Sequence, residues 1–159
     1  MLEKIKDLIQ NRVLIIDGAM GTQLQSRDIK SQYWQYEGKD LEGCNELLNL
    51  TAPNILEEIY ENYAQAGANL VSTNTFGSMP WVLDEYEIGH LSYELSKLGA
   101  QSAKKAIEKY NTEADPKFVL ASIGPGTKLP SLGHITYDEM YEGYKTMAKG
   151  LADGGTDIF

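Results

Sequence analysis

Short apolar runs rich in branched residues alternate along this chain with longer stretches whose apolar residues recur at helical spacing, and that alternation leaves few folds open. Three runs read as buried strands: Val13 to Ile16, Asn69 to Ser72 and Lys117 to Ser122, with a fourth beginning at Asp157-Ile-Phe159. The clearest helix runs from Thr51, a good N-cap, through Pro53 in the tolerant first turn and Ile55, Ile59, Tyr63 and Ala66, to a stop at Gly67. A second covers roughly residues 90–110, with Leu91, Leu95, Leu98, Ala103, Ala106 and Ile107 on one face. A third opens with Thr136-Tyr-Asp-Glu139, a capping box, and carries Met140, Tyr144, Met147 and Leu151. The joints recur as well: Ala64 to Leu70 and Leu151 to Ile158 each show a helix end, a glycine stop, then a polar residue leading into a strand. One β/α unit is being reused. Such units pair their strands in parallel through right-handed crossovers, as an open doubly wound sheet or a closed β/α barrel.

The long excursions at residues 26–50 and 74–89, after the first and second strands, favour the barrel, whose site is built by loops at the C-terminal ends of its strands. A barrel needs ~250 residues, and this chain has 159. The expected architecture is therefore the N-terminal half of a (β/α)8 TIM barrel, truncated inside the fourth strand, with residues 1–159 forming a partial domain. A four-stranded open sheet, complete as written, is the alternative. The balance of 14 Lys+Arg against 23 Asp+Glu gives a formal charge of −9 with no basic run, which disfavours nucleic acid and anionic lipid surfaces as partners. Apolar runs no longer than Val13–Ile16 are far short of the ~20 residues that span a bilayer. The first residues interleave charges with Leu2, Ile5, Leu8 and Ile9 at helical spacing, unlike a secretory signal, so a cytoplasmic address is expected.

Polar clusters follow the strands, where α/β sites are built. Asp17, at the rim of the core, needs a partner or a cationic ligand group such as an amino-acid ammonium; capping the helix that starts near Ala19 is the plainer role. Gly18 and Gly21 lack the spacing of a dinucleotide loop. Thr73, Asn74 and Thr75 offer hydroxyl and amide groups that suit a carboxylate or a metal-bound water, and equally suit anchoring their own loop. Gly124 to Lys128 has the composition of an anion-binding nest, without the Walker spacing. A β/α enzyme of phosphorylated metabolites would use it. His90 and His134 stand isolated, and the single cysteine, Cys44, reads as a packed thiol.

Taken together, Asp17-Gly-Ala-Met-Gly-Thr22, Gly43-Cys-Asn-Glu-Leu-Leu-Asn-Leu-Thr-Ala-Pro53, Ala66-Gly-Ala-Asn69, Thr73-Asn-Thr-Phe-Gly77 and Ser122-Ile-Gly-Pro125 resemble the homocysteine S-methyltransferase family. The likeness is nearest to the N-terminal homocysteine-binding domain of its cobalamin-dependent members, and it spans about residue 12 to residue 159. It implies a (β/α)8 barrel and a transferase of methionine biosynthesis that moves a methyl group onto the homocysteine thiol. It also implies a zinc ion, held by three cysteines of later strands expected beyond Phe159, that ionises the thiol so that the thiolate attacks the methyl group. The methyl donor is then methylcobalamin on a separate module, or a small methylated sulfonium or betaine. By the same resemblance Asp17 helps hold the amino group, Met20, Thr22 and Gln23 line the pocket, and Thr73, Asn74 and Thr75 face its mouth. Ser72 stands where relatives commonly carry an acid. No catalytic or metal-binding residue is expected within the chain, which alone would be inactive. The alternative function is a non-catalytic β/α binding or assembly module completed by another chain.

Overall fold

The computed structural model describes residues 2–159. Helix α1 (Leu2–Asn11) is followed by a segment that touches the sheet at Ile16, then α2 (Met20–Gln25). Of the apolar set expected along α1, the side chain of Leu2 lies outside the described residues. The hairpin β1 (Gln35–Tyr36) and β2 (Lys39–Asp40) turns through Glu37 and Gly38, both at positive φ, as a two-residue hairpin requires. Helices α3 (Leu48–Thr51) and α4 (Pro53–Gln65) lead to β3 (Leu70–Ser72). Then come α5 (Pro80–Leu83), α6 (Ser92–Glu108), β4 (Phe118–Leu120) and α7 (Tyr137–Asp153).

Strands β3 and β4 pair in parallel, Leu70 with Phe118, Val71 with Val119 and Ser72 with Leu120. Ile16 bridges Leu70 on one side and Ile158 bridges Leu120 on the other, both parallel. Four segments thus lie side by side in chain order. Val71 and Val119 are buried with Leu56, Ile59 and Tyr60 of α4 and with Ala103 and Ile107 of α6, while Ala121 packs with Ala100 of α6 and with Met147 and Leu151 of α7. The three long helices therefore share one face of the sheet, and the alternation of strand side chains turns Leu70, Ser72, Phe118 and Leu120 to the other. A doubly wound sheet reverses its strand order and carries helices on both faces. Among the described residues the strand order is not reversed, and α4, α6 and α7 lie on the same face.

The reused β/α joint is visible atom by atom. After α4, Gly67 takes φ +107 and Asn69 accepts the Ile15 N–H on Oδ1 at 3.2 Å. After α7, Gly155 takes φ +92 and Asp157 accepts the Val119 N–H on Oδ2 at 2.9 Å. Ile15 O in turn receives the N–H groups of Asn69 and Leu70, just as Val119 O receives those of Asp157 and Ile158. The glycine ends each helix in a backbone region other residues avoid, and the polar side chain satisfies the neighbouring strand where pairing begins.

Several sequence expectations change. The first segment is not buried: Val13 is 86% exposed, and Ile15 and Ile16 are more than half exposed. It pairs on one side only, and of its four apolar residues only Leu14 is half-buried. Thr51 does not cap α4. It ends α3, its hydroxyl donating to Tyr33 O at 2.6 Å, and Ala52 takes the N-cap position without a side-chain bond. Pro53 does occupy the first turn, and α7 has the full capping box: Thr136 Oγ1 accepts the Glu139 N–H and Glu139 Oε2 accepts the Thr136 N–H. The two long excursions are not bare loops. They carry β1, β2, α3 and α5, and pack on each other and on α6 through Leu41, Cys44, Leu47, Leu83, Ile88 and Leu95. Among the described residues no helix is long and apolar enough to cross a membrane.

Candidate functional site

At the C-terminal ends of the parallel segments lies a cleft of about 410 Å³. Gly18, Ala19, Met20 and Gly21 line it after the first segment, Ser72 to Phe76 after β3, and Ser122 after β4, while Asn45 and Glu46 enter from the first excursion. The strand pairing brings these loops together.

Asp17 sits directly behind this lining. Its Oδ2 accepts the Ser72 N–H at 2.8 Å and its Oδ1 accepts the Ser72 hydroxyl at 2.7 Å. Burial pushes its carboxyl above the ordinary range, and the Ser72 donors pull it back. The capping role is not taken, because Ala19 is the N-cap of α2 and no side chain caps it.

Thr73, Asn74 and Thr75 face the cleft, but their polar groups are engaged in structure. Thr75 Oγ1 donates to Ser122 O at 2.8 Å, and the Thr73 and Thr75 hydroxyls lie 2.6 Å apart. Thr73 Oγ1 also accepts the Ser122 N–H, which ties the end of β3 to the end of β4. Asn74 Nδ2 donates to Asn45 O at 2.7 Å, and its backbone N–H donates to the buried Tyr60 hydroxyl. Asn49 Nδ2 closes the lattice on Asn74 O. The anchoring role thus holds for all three residues. Met20 lines the cleft, whereas Thr22 is exposed on α2 outside it and Gln23 turns to Arg27, whose Nη1 donates to Gln23 Oε1.

Glu46 was not singled out from sequence. It lies in a 3₁₀ turn (Asn45–Leu47), with one oxygen accepting the Gly77 N–H at 2.7 Å. Burial raises its carboxyl above the usual range, against the pull of that bond. The available signal was an acid set between Cys44 and Leu47-Leu48, all three of them buried.

Cys44 is 1% exposed, and burial together with the nearby Glu46 pushes its thiol up to about 12, so it is a packed thiol rather than a nucleophile. Gly124 N–H, in the glycine-rich stretch, donates to Phe76 O at 3.0 Å and is not free to cradle an anion. His90 and His134 are exposed and lie outside the cleft. Among the described residues no three His, Cys, Asp or Glu side chains gather around a point where a metal would sit. The donor set here does not fit the zinc that the resemblance implies.

The family model described as homocysteine S-methyltransferase matches residues 14–159. Methionine synthase of Mycobacterium tuberculosis is 43% identical over 151 residues, which cover 95% of this chain and 12% of that protein. That of Mycobacterium leprae is 42% identical with the same coverage. In the metallated form of the homocysteine methyltransferase MmuM from Escherichia coli, 96% of this chain aligns with 55% of that one at a TM-score of 0.75 and 21% identity. The oxidised form gives a TM-score of 0.73 at 22% identity over 54% of its chain. This chain therefore spans about half of the solved methyltransferase fold it matches and a small part of the methionine synthases.

Proposed function

Since this chain belongs to the homocysteine S-methyltransferase family, we propose that it forms the N-terminal half of a (β/α)8 barrel domain that binds homocysteine for methylation to methionine. The observation that carries this reading is the cleft itself. Family motif segments at the ends of consecutive parallel segments converge on one opening, on a sheet whose order and one-sided helix layer suit a barrel wall.

Within that cleft the chain's own residues bind and orient. Met20 and Phe76 offer apolar surface to the substrate's methylene chain. Asp17 places negative charge behind Ser72, which favours an ammonium over a neutral group. Thr73, Asn74 and Thr75 keep the wall in shape rather than reaching for ligand. Zinc ionises the thiol when it is bound, but its ligands must come from outside the described residues, so this chain's part is confined to substrate binding. The methyl donor of the complete protein is methylcobalamin on a separate module, or a methylated sulfonium or betaine.

Methionine formation from homocysteine is the test, with each donor offered to the full-length protein and to residues 1–159 alone. The full-length protein should turn over with one of the donors, and the isolated chain with none. Turnover by the isolated chain with stoichiometric zinc would refute this assignment of roles. In the full-length protein Asp17→Asn should raise the KM for homocysteine roughly tenfold, through loss of the negative charge behind Ser72 that favours the ammonium. An unchanged KM would remove Asp17 from the site.

A further inference from the structure

Three of the chain's ten tyrosines reach from the helix layer to the loops that build the cleft, one to each loop. Tyr63 of α4 donates its hydroxyl to Ala19 O at 3.4 Å, after the first segment. Tyr60, one turn earlier on α4 and fully buried, accepts the Asn74 N–H at 2.9 Å, after β3. Tyr144 of α7 donates to Gly124 O at 2.9 Å, after β4, and the Gly124 N–H in turn donates to Phe76 O in the cleft lining. A helix that joins two parallel strands runs back against them, so its N-terminal end lies beside the cleft, and helical side chains lean toward that end. The rings stay in the apolar layer while the hydroxyls reach past it: Tyr60 packs with Leu56, Ile59 and Val71, and Tyr144 stands edge-on to Trp81 with centroids 5.1 Å apart.

We propose that Tyr60, Tyr63 and Tyr144 are positioning residues of the cleft, their hydroxyls fixing backbone groups of its three loops so that the wall keeps the shape that receives substrate. This rests on the reading of the cleft as the homocysteine site. None of the three lines the opening, so each acts through the loop it holds. Their contributions are unequal. Without the Tyr60 hydroxyl the N–H of buried Asn74 is left with no acceptor, the costliest loss of the three. The half-buried Tyr144 leaves a carbonyl that retains a second lone pair, and the Tyr63 bond is long and exposed, so water replaces it.

Phenylalanine in place of each tyrosine removes the hydroxyl and keeps the ring. In the full-length protein, with a methyl donor that supports turnover, Tyr60→Phe should raise the KM for homocysteine roughly tenfold and Tyr144→Phe about threefold, with kcat within about twofold of the parent. Tyr63→Phe should stay within about twofold. Tyr93→Phe is the control, because its hydroxyl bonds Asp153 between α6 and α7, and its KM should not move. A hydroxyl that served stability alone would lower the melting temperature and leave KM unchanged well below melting. That result for both Tyr60→Phe and Tyr144→Phe overturns the proposal, as does an equal rise in KM for Tyr93→Phe. Hydrogen exchange across residues 73–77 separates this from the reading of the cleft. Faster exchange in Tyr60→Phe at an unchanged KM overturns the positioning role and leaves the homocysteine site standing, whereas an unsubstituted protein that neither binds nor methylates homocysteine overturns both. Should Tyr60→Phe fail to fold, the contrast between Tyr144→Phe and Tyr93→Phe decides the matter by itself.

Discussion

Ser72 is the pivot of the site at the scale of single residues. Its backbone and hydroxyl both donate to Asp17, so Ser72→Ala removes one donor from a buried carboxylate and should cost about 1–2 kcal/mol in urea unfolding at neutral pH. The pH dependence follows from the raised carboxyl of Asp17. Between its unfolded and folded values the native state binds more protons than the unfolded one, so stability falls as pH rises through that window. Losing the Ser72 hydroxyl raises the folded value further, and the penalty of Ser72→Ala should therefore be smaller in acid than at pH 7. A penalty independent of pH would detach Ser72 from Asp17. Thr75→Val tests the brace: it keeps the shape but strips the hydroxyl from between Thr73 Oγ1 and Ser122 O, and should cost about 1–3 kcal/mol. Sequence pattern alone made Thr73, Asn74 and Thr75 conspicuous, because polar groups after a strand are where sites form. What it left open was how many of their donors the neighbouring loops would take. That depends on Ser122, Asn45 and Tyr60, between 14 and 49 residues away in the chain.

Elements whose signals are local were legible, and those that depend on a partner were not. The capping box of α7 lies within four residues, and its geometry is as the pattern implies. Thr136→Ala should cost about 1 kcal/mol, read as a lowered melting temperature. Glu139 is held below the usual glutamate range by Thr136, so the cap's contribution is present at neutral pH and is lost as pH falls through that lowered value. The melting difference between parent and variant should then shrink below about pH 4. The approach of α6 to α7 has no such local sign. A Cβ on Gly150 would run into Tyr93 O, and one on Gly154, the C-cap of α7, would lie 2.5 Å from Lys97 O, so at both positions the approach of the two helices requires glycine. Gly150→Ala should destabilise by about 1–3 kcal/mol despite alanine's better helix propensity. A stabilised Gly150→Ala variant would mean that the helices are free to separate. Val13 to Ile16 failed as a buried strand for the same reason, since its apolar residues state a need for cover without naming what supplies it.

At the scale of the whole molecule, two open strand edges work against net charge. Val13, Ile15 and Ile16 at one side of the sheet and Phe159 at the other expose apolar side chains beside unpaired backbone, which invites pairing with another chain. The formal charge of −9 opposes it, because every approach brings like charges together. Salt separates the two effects: the Debye length falls from ~30 Å at 0.01 M to ~8 Å at 0.15 M, weakening the repulsion while leaving hydrophobic burial intact. Residues 1–159 should therefore self-associate more at 0.15 M salt than at 0.01 M in sedimentation velocity, and Ile15→Lys with Val13→Lys should suppress the effect. Association that falls with added salt would point to ion pairs and leave the edges without a part. If the edges are the unfinished rim of a barrel, hydrogen exchange gives the complementary reading. In residues 1–159 the amides around Ile16 and Ile158, each bridged on one side only, should exchange faster than those of Val71 and Val119 in the paired centre. In the full-length protein that gap should close, because a strand on the far side of Ile16 would supply both the missing acceptors and the cover that Val13 and Ile15 lack.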